Sequence, residues 1–518
     1  MTMATGNHPV LGPGFRGSRA WFTAVALILL GLLTGLVLTY FNPILFAVGV
    51  AALVGLVVFA WCTITFPVWT LAFVVMCQIL VPVYIRLPLG VPPPLLMLAL
   101  FVLIIGIAGM IRPQPKRPGR YESLIATVIL IYNVALFSTL PGEYGTTSSY
   151  LMLVKTVIIP TTLFFAFLTT MRTEDDIRLV FKFITFAAVA SGSLGIHEFI
   201  LKENVIARFF APPVTIEEDF FLWLLANAGN DGAPYLGGSV YRVYSFFTQP
   251  LEYSAFMIMA FPFAALSFVT ATTWTTRAIY GAATLIIFVG FMVSFSRGPT
   301  VALALVIIFL AVYERRVRVW ALAGAGLILA ALVVYWPVVV EKLGERVTSS
   351  ENVTLRIRLW QNGLKIFNEN FINGIGYGSY PNYHVESIRV NQIGPMYEYT
   401  WPHIERVTTV ENIFVTLAAE TGLLGLSAFA LVLGIGFYVF RLVYKRIHDD
   451  KVRLLALSAC AACLAYLLSG MTVANIIGYT ISILFFGVYI PTIAVLSCKL
   501  PEGRRPLRLK NPVPGGTV

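Results

Sequence analysis

Val410-Glu411-Asn412-Ile413-Phe414-Val415-Thr416-Leu417-Ala418-Ala419-Glu420-Thr421-Gly422-Leu423-Leu424-Gly425 joins two unlike compositions. Ahead of it, 341–411 is a long polar segment. Behind it, the chain is apolar to about residue 440. Further out on both sides, apolar runs long enough to cross a bilayer recur. They fall at 21–41, 44–62, 66–83, 94–111, 123–140, 151–170, 179–200, 251–270, 277–293, 299–313, 319–340, 412–440, 454–471 and 474–497. The chain is 58% hydrophobic and 12% charged, about half the charge of a soluble domain. The pattern predicts an all-α, polytopic helical membrane protein with about 14 transmembrane helices. Strand-length alternation, the mark of an outer-membrane barrel, is missing. The run 412–440 is long for one span and is expected to tilt or to extend beyond the bilayer. The first run follows Arg16 and Arg19 and lacks a small-residue cleavage site, which predicts a retained helix.

A net charge of +11 could suggest nucleic acid. Its distribution argues otherwise, because basic residues gather in short loops, as orientation signals and headgroup contacts do. Examples are Arg112 to Arg120, Arg315 to Arg318, Arg441 to Arg453 and Lys499 to Lys510. That bias predicts both termini in the cytoplasm, with loops 201–250 and 341–411 on the far side. The expected organisation is an N-terminal bundle (1–200), a first far-side loop (201–250), four spans (251–340), a large far-side loop (341–411), three spans (412–497) and a basic tail (498–518). The five cysteines lie in or beside apolar runs, so Cys460-Ala-Ala-Cys463 is read as packing. Gly324-Ala-Gly326 and Gly434-Ile-Gly436 are expected to be close-packing faces.

Chemistry has few places to sit. Lys155, within an apolar run, is expected to snorkel or to face a polar cavity. Arg242 and Glu252 stand at a membrane mouth, where they could pair with each other. Ser296-Arg297-Gly298-Pro299 is a tight turn between two apolar runs. Its arginine either snorkels or forms an anion site, with the amides of the following helix start facing the same place. Residues 354–367 show Ile357, Trp360, Leu364 and Phe367 at three- and four-residue steps. This predicts an amphipathic helix with Arg356 on the Trp360 side. Gly374-Ile-Gly376-Tyr-Gly378 reads as a tight turn and does not match a nucleotide fingerprint. Tyr377, Tyr380, Tyr383, Tyr397, Tyr399 and Trp401 could be interface belt residues or sugar-stacking platforms. His384, His403, Glu398 and Glu405 have irregular spacing for a metal, and none is predicted.

In combination these features resemble the O-antigen ligase and polymerase (Wzy-type) family. The resemblance rests on Ser296-Arg297-Gly298, Arg356-x-x-x-Trp360, Gly374-x-Gly376-x-Gly378 and the loop end, and it covers roughly 240–430. In the family's ligases a His is followed by Asn or a similar residue, nine residues, Gly, two residues and Gly. Here Asn412 precedes nine residues, Gly422, Leu423, Leu424 and Gly425, with Glu411 in the His position.

The resemblance implies a GT-C-like periplasmic active-site loop in the bacterial inner membrane. It also implies transfer from an undecaprenyl-pyrophosphate-linked glycan donor to a glycan acceptor, with no metal, nucleotide sugar or other cofactor. Arg297 and Arg356 would stabilise the leaving pyrophosphate, and Arg242 and Arg358 are candidate helpers. Glu411 would be the general base, with His384 or His403 as alternatives and Asn412 beside it. Glu in the ligase His position favours a polymerase of repeat units. A ligase acting on another acceptor is the alternative within the class, and a non-enzymatic transporter is the alternative outside it. Membrane lipid, a chain-length regulator and a flippase are the expected partners, and nucleic acid is not.

Overall fold

The computed structural model describes residues 43–82, 93–111, 119–139, 147–204, 206, 243–247, 249–320, 322–323, 351–380, 383, 410–472 and 479–500. Among these, the regular structure is helical throughout. In a bilayer, a helix satisfies its own backbone donors and acceptors, which hydrocarbon cannot.

The helices are α1 (Pro43–Thr65), α2 (Pro67–Leu80), α3 (Pro93–Ile111), α4 (Arg120–Ser138), α5 (Ser149–Thr170), α6 (Glu174–Leu201) and α7 (Pro250–Thr270). Then follow α8 (Trp274–Met292), α9 (Arg297–Tyr313), α10 (Glu351–Glu369), α11 (Ile413–Arg446), α12 (Asp450–Gly470) and α13 (Thr480–Ser497). Eight of them, α4 to α8 and α11 to α13, are long and apolar enough to cross a membrane. Shorter apolar stretches lie in α1, α2, α3 and α9. Each predicted run from 44–62 to 299–313, and each after 412, coincides with a helix to within a few residues. The runs 21–41 and most of 319–340 lie outside the described residues, as does Gly324-Ala-Gly326.

Local sequence sets the boundaries. Proline stands at the first position of α1, α2, α3 and α7, where its missing N–H costs no hydrogen bond. Thr173 caps α6 in a reciprocal box with Asp176, and Asp449 caps α12. The long run after 412 is one assigned helix of 34 residues, but Gly422 (φ 60, ψ −157) breaks it. The length puzzle is therefore solved by a break rather than by tilt alone.

The innermost helices are α13, wholly buried in its apolar window, and α7 and α12, at 78% and 72%. Helix α8, at 22%, is peripheral. Tyr466 stacks on Phe485 at 4.1 Å in this core. Cys460 and Cys463 are buried, free and packed within it, as expected. Of the expected close-packing glycines, Gly434 and Gly436 do not pack closely. A Cβ on Gly434 would meet nothing within 4 Å, and one on Gly436 only an ordinary contact with Ile490. The tight approach is between α6 and α8, where a Cβ on Gly290 would lie 2.7 Å from Cα of Gly192. Spacing alone does not reveal which helix face meets a neighbour.

Contacts sort the helix ends onto two faces. On one, Lys499 pairs with Glu174, Cys498 Sγ meets Glu122 at 2.9 Å, and Tyr444 donates to the Tyr313 carbonyl at 2.6 Å. On the other, the turns at 243–247, 294–298, 370–380 and 410–412 converge. Every non-glycine residue with positive φ among the described residues lies at this second face: Lys202, Ser245, Phe295 and Glu411.

Candidate active site

Asn412 anchors the site. Its side-chain oxygen accepts from Phe414 N–H at 2.9 Å and Val415 N–H at 3.2 Å, capping α11. Its amide nitrogen donates to the Met471 carbonyl at 3.2 Å. One residue earlier, Glu411 takes a left-handed backbone conformation, φ 54. That costs a non-glycine residue about 1 kcal/mol or more. Its carboxylate accepts from Arg356 Nε at 3.0 Å, and both side chains are about one-third exposed, 34% and 36%. Solvent therefore reaches the pair.

Arg356 arrives on α10, as the periodicity predicts, but the helix is rolled from its expected orientation. Its buried face is Leu359, Gly363 and Ile366, with Trp360 packed alongside. A Cβ on Gly363 would lie 2.6 Å from Val415 Cγ1, so α10 lies tight against the start of α11. Ile357 and Leu364, on the apolar stripe that the periodicity predicts, are 45% and 47% exposed. They continue into exposed Phe371, Ile372, Leu423 and Leu424, an apolar edge suited to the bilayer interface.

The Gly-rich turn locks this arrangement. Gly374, Gly376 and Gly378 all have positive φ, 67, 100 and 73, which only glycine adopts freely. The turn lies across the break in α11. Ile375 N–H donates to Ala419 O at 3.1 Å, Gly376 N–H to Glu420 O at 2.9 Å, and Leu423 N–H returns to Phe371 O at 2.8 Å. Tyr377 N–H donates to Thr139 O at 3.0 Å, and its hydroxyl meets Thr156 Oγ1 at 2.7 Å. Thr156 sits in a π-helical stretch of α5, Val154–Ile158, which also carries half-buried Lys155.

Tyr377, Tyr380 and Tyr383 are 0%, 1% and 6% exposed. They are therefore neither belt residues nor stacking platforms but the core of the turn. Burial pushes the Tyr380 phenol up to about 12, so it stays protonated beside the Asn362 amide, 3.5 Å away. Tyr397, Tyr399 and Trp401 lie outside the described residues.

Arg297 opens α9, at the first helical position. Ser296 does not cap the helix; its hydroxyl bonds Ser254 Oγ at 2.7 Å, and Ser254 also meets Ser294 at 3.0 Å. This buried serine cluster fixes the turn and leaves Arg297 exposed. Gly298 packs on Thr472, with Cβ–Cβ room of only 2.6 Å. The adjoining Met471 holds Asn412. The Arg297 turn, the 471–472 turn and the Glu411–Arg356 pair are thus consecutive links of one contact chain.

Residues 282–430 match the family described as O-antigen ligase, Wzy_C. A search of curated proteins gives no match. The Wzy_C segment contains Arg297, Arg356, the three glycines of the turn, Glu411 and Asn412. It supports a polytopic membrane protein acting on glycan chains. Arg242, His384 and His403 lie outside the described residues, as does the side chain of Arg358. Of loop 341–411, only 351–380, 383 and 410–411 are described. Among the described residues, no three His, Cys, Asp or Glu side chains cluster as metal ligands would.

Two carboxylates escaped the sequence reading. Glu420, 1% exposed within the Wzy_C segment, accepts from Tyr380 N–H at 3.2 Å, and its Oε2 has no hydrogen-bond partner. Glu198, also 1% exposed, accepts from Tyr244 N–H at 3.0 Å and Ser245 N–H at 2.7 Å. Each accepts backbone N–H groups of an irregular turn, which helix or strand pairing does not satisfy. The available signal was an acid inside an apolar run, next to a glycine break or a span end.

Proposed function

We propose that this protein is a membrane glycosyltransferase that polymerises lipid-pyrophosphate-linked oligosaccharide units into an exported polysaccharide. The observation that carries the reading is the partly exposed Arg356–Glu411 pair at a strained backbone position, linked through Asn412, Met471 and Gly298 to the Arg297 turn. Strain of this kind persists where the surrounding structure over-determines it, and it clusters at functional sites.

The chemistry requires a hydroxyl of the acceptor sugar to attack C1 of the donor sugar. The C1–O bond to the lipid pyrophosphate breaks, and the electron pair leaves with the pyrophosphate. Glu411 takes the hydroxyl proton. Arg356 gives Nε to Glu411 and retains its remaining N–H donors for phosphate oxygens. Arg297, at the start of α9, adds a second guanidinium close to the amides of the first helical turn. Two cations facing a developing pyrophosphate supply the electrostatic stabilisation that such a departure needs. Glu411 in place of His favours the polymerase over the ligase, whose acceptor is a different molecule.

The test supplies purified protein with lipid-pyrophosphate-linked repeat units from the host and reads chain length by mass spectrometry. Wild type is expected to elongate the lipid-linked chains, while folded Arg297→Ala, Arg356→Ala and Glu411→Gln do not. Transfer to a different acceptor without elongation would replace the polymerase with a ligase. Substrate moving across vesicles with no new glycosidic bond would remove the enzyme reading.

A further inference from the structure

A cavity of about 700 Å³ opens at the face opposite Glu411, among the ends of α6, α7, α8, α9, α11 and α12. Its charged lining is dominated by cations. Arg178 and Lys182 come from α6, Arg316 from the helical stretch after α9 (315–320), and Lys451 and Arg453 from α12. Only Glu314 and Asp450 oppose them.

Both acids are already engaged. Asp450 lies 3.6 Å from Arg453, and Glu314 accepts the backbone N–H of Arg316 at 3.3 Å. Arg453 lies over the Tyr444 ring at 4.6 Å, and its buried Nε has no hydrogen-bond partner. Among the described residues, Arg178, Lys182, Arg316 and Lys451 make no ion pair. Lys451 also interacts with Glu174, yet five cations against Glu314 and Asp450 leave the lining with an excess of positive charge, which a bound anion would offset.

The same cavity has an apolar wall of Phe263, Leu266, Leu454 and Leu455. At the same helix ends, Trp274 is 80% exposed and Trp320 is 58% exposed. Exposed tryptophans mark headgroup depth. A ligand here meets cations at the mouth and hydrocarbon behind them.

We propose that this cavity binds the phosphate of an anionic phospholipid, drawn from the leaflet at the basic face. A free phosphate would need the cations alone. The apolar wall beside them is what selects a lipid.

The experiment uses the full-length protein in nanodiscs and counts retained phosphatidylglycerol by native mass spectrometry after delipidation, with phosphatidylcholine as comparison. Arg178→Gln, Lys182→Gln and Arg316→Gln are combined. A control of equal charge loss combines Arg441→Gln, Lys445→Gln and Arg446→Gln, which are exposed on the same face and do not line the cavity. At ~1 kcal/mol per cation, the cavity variant should lose phosphatidylglycerol affinity by on the order of a hundredfold. The control should lose little. If the triple variant does not fold, Lys182→Gln alone, an exposed side chain, should still give about a fivefold loss.

Equal losses in the cavity variant and the control would overturn the proposal in favour of diffuse surface charge. So would equal retention of the two lipids by wild type. A third overturning result is a rise in melting temperature caused by inorganic phosphate in phosphatidylcholine nanodiscs and abolished in the cavity variant. It would give the cavity to a soluble phosphate.

Discussion

Arg356 Nε and Glu411 Oε2 stand 3.0 Å apart, although 55 residues separate them in the chain. Their partial exposure limits what the pair adds to stability, about 0–1 kcal/mol. Its value is geometric, since it sets a cation and a carboxylate side by side at the solvent-accessible start of α11.

Glu411→Gln is expected to leave the melting temperature nearly unchanged. It should lower elongation by about 10²-fold or more, the usual contribution of a general base. A folded Glu411→Gln protein with wild-type turnover would eliminate Glu411 as the base.

Glu411→Gly separates strain from chemistry. Glycine adopts φ 54 freely, which should recover about 1 kcal/mol of backbone strain and offset the lost ion pair. The variant should melt no lower than Glu411→Gln and be equally inactive. A variant less stable by more than about 2 kcal/mol would show that the carboxylate holds the fold together.

Gly374→Ala and Gly422→Ala should each destabilise by more than about 2 kcal/mol. They combine positive φ with overlap onto the facing backbone, Glu420 for one and Ile372 for the other. Gly434→Ala meets open space in a helix and should be neutral or stabilising by up to about 1 kcal/mol. Thermal unfolding of the three in one detergent tests the contrast.

Glu420→Gln keeps an acceptor oxygen for Tyr380 N–H and places an amide where Oε2 is unpartnered. It should cost less stability than Glu420→Ala. Glu420→Ala strands the buried donor and should cost about 1–3 kcal/mol. Equal stability of the two variants would show that the clasp on the turn is not structural.

Asn412→Asp retains the oxygen that caps α11 but loses the donor to Met471. Asn412→Ala loses both functions and should cost about 1–2 kcal/mol from the cap alone. The aspartate variant should be the more stable of the two, yet still impaired in elongation, because the link towards the Arg297 turn passes through Met471.

How much of this the sequence revealed depends on the physical signal involved. Span positions were legible because a twenty-residue apolar run has few other uses. The Gly-rich turn was legible because three glycines at alternate positions mark a chain that takes conformations a side chain disfavours. The roll of α10 was not legible. Ile357 and Leu364 face outward because bilayer and core both accept apolar groups, so hydrophobicity there does not distinguish inside from outside. The tyrosines of the turn were ambiguous for a related reason, since aromatic density is the same in a core, a belt or a sugar platform. Glu198 and Glu420 were passed over because their partners are backbone amides far away in sequence, and no residue type announces an amide.

The exposed edge of Ile357, Leu364, Phe371, Ile372, Leu423 and Leu424 changes what concentration means for this protein. A site bordered by acyl chains is supplied by lateral diffusion in two dimensions. Under the proposed function, the quantity that sets its rate is then the mole fraction of lipid-linked substrate in the surrounding bilayer. Diluting that substrate with inert lipid, at constant bulk amount, should slow the reaction, whereas diluting the suspension with buffer should not.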